Sequence, residues 1–277
     1  MGWCGMKPAP FSYHRARSVD DAVSALASCS GTAQALAGGQ SLVPMLNLRL
    51  VLVDLVVDLG AIAALKVATE APSSVRYGAL LPHVAFEERR VPDASNGLMP
   101  LVAAHIAYRA VRTRGTIGGA IALADPAADW LTAMLALEAQ IALVGPNGRR
   151  TMPIADFVTG PYSTALGPAE LIEAVEVPRR AATERWGRCK VVRKTGEYAE
   201  SMAIAVIDRA GRTARVVVGA LDGAPVLLPG AALAALANRS ADIQEIVRSE
   251  LAGSAFTPAQ LELHSNVALR AIKHACE

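Results

Sequence analysis

The stretch Gly115-Thr-Ile-Gly-Gly-Ala-Ile-Ala-Leu-Ala-Asp-Pro-Ala-Ala-Asp129 sets three glycines and two carboxylates close together. Glycine tolerates positive φ and lets another molecule approach the backbone closely. The pair Gly118-Gly119, preceded by Thr116 and Ile117, therefore reads as a turn whose N–H groups can face a ligand. A second pair stands upstream in Ala37-Gly-Gly-Gln-Ser41, at the end of the apolar run Gln34-Ala-Leu-Ala37. Successive amides in such turns form anion-binding concavities, and the hydroxyls of Ser41 and Thr116 add donors. Two loops of this kind can grip the two phosphates of a dinucleotide. Neither carries the lysine of a P-loop, and adjacent glycines do not fit GxGxxG.

Downstream of the second pair, residues 126–137 read as a helix with proline in its first turn and Asp125 as N-cap. Asp125 and Asp129, four apart, then share one helix face. On one reading they contact a ribose or adenine just beyond the phosphates. On the other, Asp125 caps the helix and Asp129 is solvated. No nearby histidine or nucleophile completes an acid–base site around them.

The rest of the chain sets the frame. Its 277 residues, 52% apolar and 19% charged, support a large core and two domains. A net charge of +2 argues against a nucleic-acid surface, and the arginine clusters in 109–114 and 179–193 read as solvated. The apolar runs 50–59 and 131–144 are broken by Asp54, Asp58, Glu138 and Gln140, short of the ~20 residues a membrane span needs. With no signal-peptide pattern, the expectation is a cytoplasmic protein; the mean hydropathy of +0.32 points to surface buried against partner subunits. Cys4, Cys29, Cys189 and Cys276 form no close pair, and the five histidines form no ligand pattern. Free thiols and no metal on this chain are expected.

Local signals outline the elements. Ser18 and Asp20-Asp21 mark the start of a helix over 19–28. Residues 34–37 and 52–59 read as strands on either side of a helical turn in 41–49. A hairpin over 67–80 turns at Pro72-Ser-Ser, and residues 82–89 and 100–111 read as helices. Strands 139–144 and 150–153 flank Gly145-Pro-Asn-Gly148. Beyond a break at Gly167-Pro168, strands at 171–177, 188–193, 201–208 and 214–219 precede helices at 231–237, 243–250 and 258–275. The rhythm is that of an α+β or α/β protein.

Taken together, the two glycine motifs, Phe157-Val-Thr-Gly-Pro-Tyr-Ser-Thr164, Glu170-Leu-Ile-Glu-Ala-Val-Glu-Val-Pro178 and Lys190-Val-Val-Arg-Lys-Thr-Gly-Glu-Tyr-Ala199 resemble the FAD-binding medium subunit of molybdenum hydroxylases. This is the carbon monoxide dehydrogenase / xanthine dehydrogenase family, and the resemblance runs over nearly the whole chain. It implies an α+β fold. A two-subdomain FAD-binding domain of the vanillyl-alcohol-oxidase (PCMH) type would span 1–167, with subdomains at about 1–58 and 59–167. A C-terminal domain of a small sheet with helices would span 168–277.

The resemblance also implies the site. Ala37, Gly38, Gly39, Gln40, Ser41 and Leu42 would cradle the FAD pyrophosphate together with Thr116, Ile117, Gly118, Gly119 and Ala120, flanked by Leu36, Gly115, Ala124 and Asp125. Asp129 matches a ribose contact, Ile172 an apolar contact on the flavin side, Lys190 a cationic contact, and Tyr198 an aromatic residue close to the isoalloxazine. Gln40 stands where many relatives have His, Thr113 where Asn is common, and Ala120 where Asn or Ser is usual. Ala120 offers no side-chain hydrogen bond, so backbone or water must replace it.

The implied role is electron transfer, with no catalytic residue on this chain. Substrate is hydroxylated at a molybdenum cofactor in a large subunit, electrons pass two [2Fe–2S] clusters in a small subunit, and FAD here passes them to NAD+, a quinone or oxygen. A dimer of heterotrimers, a heterohexamer, is the implied assembly. Two other readings stay open: a self-contained FAD oxidase, and a non-catalytic nucleotide-binding scaffold subunit.

Overall fold

A computed structural model describes residues 7–238, 242–253 and 256–277. Ser18 Oγ accepts the amide of Asp21 at 3.0 Å, and helix α1 (Val19–Ser28) starts there as its capping chemistry dictates. Its buried face, Val19, Ala22 and Val23, packs with Val57 and Leu59. Strands β1 (Ser12–Arg15), β2 (Ala33–Leu36) and β3 (Leu55–Asp58) form a parallel sheet with β3 in the centre. Helix α2 (Leu42–Asn47) lies between β2 and β3 in the chain, so the first glycine pair ends a sheet strand and opens a helix.

The hairpin of β4 (Ala68–Glu70) and β5 (Ser74–Gly78) forms as expected. Helix α3 (His83–Glu87) follows. The helix expected over 100–111 divides into α4 (Leu98–Ala104) and α5 (Arg109–Arg112), with Ala107 at φ 42° between them. Arg112 explains the break. Its guanidinium takes the carbonyls of Ile106 and Ala107 at 3.0 and 2.9 Å while gripping Glu87 at 2.7 and 3.0 Å. Arg109 pairs with Glu88, and Arg180 lies between Glu138 and Glu184 with its side chain 9% exposed. Within the two arginine clusters Arg112, Arg180 and Arg188 are thus held in largely buried ion pairs, whereas Arg109, Arg114, Arg185 and Arg193 are exposed, as expected.

Two further corrections fall on the deciding stretch. Residues 117–123 are helical, forming α6 (Ile117–Leu123) rather than a ligand-facing turn, because Thr116 Oγ1 caps the amide of Gly119 at 3.1 Å. The next helix, α7 (Asp129–Ala136), begins at Asp129, not 126. Asp125 stays outside it: Ala124 turns left-handed at φ 51°, and Asp125 Oδ1 accepts the amide of Ala127 at 2.9 Å, a local turn that replaces the cap. The two aspartates therefore do not share a helix face.

Strands β6 (Gln140–Gly145) and β7 (Gly148–Pro153) pair across their expected turn. After α8 (Ile154–Phe157) and the small hairpin β8 (Val158–Gly160) and β9 (Ser163–Thr164), strand β10 (Leu171–Pro178) inserts between β5 and β6. It is the middle strand of the sheet β4-β5-β10-β6-β7. The break at Gly167-Pro168 consequently precedes the last strand of the first unit and does not separate the sheets.

The chain then forms β11 (Arg185–Val191), β12 (Ser201–Asp208), β13 (Thr213–Gly219) and β14 (Val226–Leu227), an antiparallel sheet in that order. Helices α9 (Pro229–Leu236), α10 (Ile243–Leu251) and α11 (Pro258–Cys276) cover one face. A Cβ at Gly187 in β11 would stand 2.1 Å from the Ala271 carbonyl oxygen, so this glycine lets α11 lie directly on the strand. Every residue of β12 is buried because the strand alternates between two cores. Ala203, Ala205 and Ile207 face the C-terminal helices, whereas Ile204 and Val206 join the core built around Trp130, Leu131 and Met134 of α7. The two units are joined through that shared core. Cys29, Cys189 and Cys276 are free thiols, and Cys4 lies outside the described residues. No helix among the described residues is long and apolar enough to cross a membrane.

Candidate functional site

The glycine loops meet. A Cβ on Gly38 would stand 2.1 Å from the Arg114 carbonyl oxygen and 2.8 Å from Gly115 Cα, and one on Gly119 would stand 3.3 Å from Ala37 Cβ. One on Gly118 would press into Ala79, 2.7 Å from its carbonyl oxygen. Close approach of backbones is what demands glycine at these positions. Among the paired glycines, Gly39 alone has positive φ, at 73°.

Counting amide partners separates the loops. The amides of Gly38, Gly39, Gln40, Ser41 and Leu42 have no acceptor among the described residues, and the Ser41 hydroxyl makes no cap bond. In the second loop almost every amide is taken. Gly115 donates to Val111 O at 2.7 Å, Ile117 to Leu81 O at 3.1 Å, Gly118 to Ala79 O at 2.9 Å, Gly119 to Thr116 Oγ1 and Ala120 to Thr116 O at 3.0 Å. Only the Thr116 amide is left. The first loop is a nest of donors; the second is the wall against which it is set. Leu36 and Ala37 are half-buried beneath the nest, Gln40 is exposed, and Ala120 packs against the main core.

Beyond the loops, Asp125 is buried and accepts the Tyr162 hydroxyl at 3.2 Å on the oxygen not used by Ala127. Tyr198 is an exposed residue whose phenol is pushed up to about 12 by partial desolvation and by the nearby Asp125 carboxylate. Asp125 and Tyr162, with Asp222 and His264, line a cleft of about 450 Å³ between the two units.

Asp129 is not solvated. Its side chain is 7% exposed and closes an ion triad across the units, with Arg188 at 2.6 Å on one oxygen and Lys190 at 2.8 Å on the other. Lys190 also donates to His105 O at 3.2 Å. Sequence reading named Asp129 and Lys190 but missed Arg188. The signal was available, since residues two apart in a strand share a face, and Arg188 and Lys190 of β11 both reach Asp129 of α7. Ile172 is buried in β10 within the main core.

His83 was also missed, and nothing local in the sequence marks it. It is 4% exposed, its amide donates to Gly115 O at 2.9 Å, and its Nδ1 accepts the Trp130 indole N–H at 3.0 Å. Burial, helped by the charge of Arg112, lowers its pKa to about 4, so the ring is neutral at ordinary pH. Among the described residues no group of three or more His, Cys, Asp or Glu side chains could hold a metal ion.

Residues 9–180, which include both loops, match the family described as the FAD binding domain in molybdopterin dehydrogenase. The chain belongs to this family. As an FAD-binding medium-subunit chain it is 34% identical over 265 residues to the carbon monoxide dehydrogenase medium chain of Hydrogenophaga pseudoflava, covering 95% of this chain and 88% of that one. It is 37% identical over 202 residues to the glyceraldehyde dehydrogenase medium chain of Sulfolobus acidocaldarius, covering 73% and 71%. The solved structure of the H. pseudoflava carbon monoxide dehydrogenase lacking the Mo-pyranopterin moiety of its molybdenum cofactor has a chain that superposes with a TM-score of 0.89. Identity is 30%, and 97% of this chain and 98% of that one are covered. The expected family and the PCMH-type fold are thereby borne out: this is the flavoprotein component of an oxidoreductase. The residues present fit FAD, because the unpaired donors of the first loop call for a ligand rich in acceptors and any Cβ at Gly38 would fill the junction.

Proposed function

We propose that this chain is the electron-transfer subunit of a molybdenum-containing hydroxylase. Electrons reach it from [2Fe–2S] clusters in a small subunit, fed by a large molybdenum-cofactor subunit, and leave to NAD+, a quinone or oxygen. Bound FAD supplies one- and two-electron transfer, and the polypeptide binds, orients and tunes it. The observation that carries the reading is the run of unpaired amides from Gly38 to Leu42, set against the Arg114-Gly115 backbone. These amides and the Ser41 hydroxyl hold the pyrophosphate. The segment from Gly115 to Ala120 fixes the far wall, and among the described residues the Thr116 amide is the amide of this segment left without an acceptor.

The other assigned residues act around that grip. A carboxylate accepts about four hydrogen bonds, so Asp129 can take a ribose hydroxyl while Arg188 and Lys190 hold it in place. Lys190 adds positive charge near the phosphates. Tyr198 offers its exposed ring to the isoalloxazine, and Ile172 backs the site from the core. Asp125 holds Tyr162 and acts through it, with Leu36 and Ala124 shaping the loop ends. No side chain here is asked to act as acid or base.

Two measurements test the reading. Purified chain titrated anaerobically with FAD should quench flavin fluorescence to one FAD per chain, and absence of bound flavin would overturn it. A tagged chain co-expressed with its genomic neighbours should elute with a molybdenum subunit and an iron–sulfur subunit as a dimer of heterotrimers. An isolated chain that oxidises substrate unaided would instead establish a self-contained oxidase.

A further inference from the structure

His83 carries a hydrogen-bond donor that the fold does not use. An indole N–H can only donate, so the 3.0 Å bond from Trp130 Nε1 requires Nδ1 of His83 to be unprotonated. The neutral ring then bears its proton on Nε2. Trp130 is itself locked, 1% exposed and edge-on to Phe86 at 5.2 Å, so the tautomer is held by the core. Nε2 lies against the backbone of Gly115, 2.8 Å from where a Cβ would stand, and Gly38 meets the same residue. No partner takes the Nε2 proton among the described residues. The residue as a whole is 4% exposed, so this unused donor lies almost enclosed at the glycine junction.

Native proteins pair nearly all buried polar groups, and an exception at a glycine junction calls for a ligand. The chemistry of that ligand follows from its surroundings. The amides of residues 38–42 and of Thr116 have no acceptor among the described residues, and His83 Nε2 adds a further donor at Gly115, beside the Gly38 contact. An acceptor with several oxygens and no hydrogens of its own meets that demand.

Resting on the FAD reading above, we infer that His83 is a further binding residue of this site, whose Nε2–H donates to a phosphoryl oxygen of the dinucleotide. Its neutrality makes it a donor fixed in the core, with no counter-ion to displace.

The test uses the complete chain. In ¹⁵N-histidine-labelled protein, saturation with FAD should shift the His83 Nε2 resonance and slow exchange of its proton; an unchanged signal overturns the inference. His83→Asn keeps an acceptor for Trp130 and drops the outer N–H, so FAD affinity by fluorescence titration should fall about ten- to a hundredfold. His83→Gln restores an N–H near the Nε2 position and should recover most of it. Wild-type affinity in H83N overturns the inference, and where H83N does not fold the wild-type resonance decides. A wild-type chain that binds no FAD brings down both readings, whereas tight wild-type binding with no response at His83 brings down this one alone.

Discussion

Gly38 and Arg114 approach so closely that a Cβ on the first would stand 2.1 Å from the carbonyl oxygen of the second. The sheet of the first subdomain thereby rests on the turn that leads into α6. The second backbone cannot yield cheaply: Gly115 is tied to Val111 and His83 on both its polar groups, while Gly38 lies two residues past the end of β2.

Gly38→Ala should consequently part the loops. Overpacking of this kind costs about 1–3 kcal/mol, so thermal unfolding should show a lower midpoint. FAD affinity should fall further than that loss of stability explains, because the amides of residues 38–42 move relative to their wall. Fluorescence titration of the variant at a temperature where it is fully folded checks this.

Asp129→Asn should be among the most damaging single substitutions. It leaves Arg188 and Lys190, with side chains 7% and 8% exposed, without a full negative charge between them. Breaking a buried pair in this way costs about 3–5 kcal/mol. Arg188→Met should cost less, since the Asp129–Lys190 pair survives. Urea denaturation of both variants ranks them, and equal loss would refute the triad's asymmetry.

His83 should make stability depend on pH on the acid side. Its folded pKa of about 4 lies below the unfolded value of 6.5, so between these values the unfolded chain binds more protons. The contribution is complete above pH 6.5, falls as pH drops toward 4, and amounts to about 3 kcal/mol. Denaturation at pH 7.5 and pH 4.5 should show wild type losing more stability than H83N, whose position 83 does not titrate.

Thr116→Val keeps the shape of the side chain and removes the oxygen that accepts the Gly119 amide at 3.1 Å. Loss of an N-cap costs about 1 kcal/mol. The unfolding midpoint should drop accordingly, and amide exchange at Gly119 should quicken. Unchanged protection at Gly119 would show that α6 does not depend on the cap.

The elements that were legible in the sequence are those whose causes are local. Ser18 with its acidic first turn, the Gly145-Pro-Asn-Gly148 connection and the Pro72-Ser-Ser hairpin each act within a few residues, and each formed as read. The glycine pairs were legible for a related reason, because a position that admits no Cβ leaves its mark in the residue itself. Their order and spacing, with the later motifs, sufficed to place the chain in its family.

What only the tertiary structure decided are the partnerships between distant residues. Strand β10 looks from its neighbours like the start of a second domain, yet its pairing with β5 and β6 assigns it to the first, and strand partners leave no local trace. Asp125 reads as a cap and Asp129 as a free carboxylate until Tyr162, Arg188 and Lys190 arrive from later segments. The inequality of the two loops is of the same kind. Sequence shows that amides are present, but their availability depends on whether Ala79 and Leu81 lie near enough to claim them. Hydrogen bonds and ion pairs are settled by proximity in space, and proximity is a property of the folded chain.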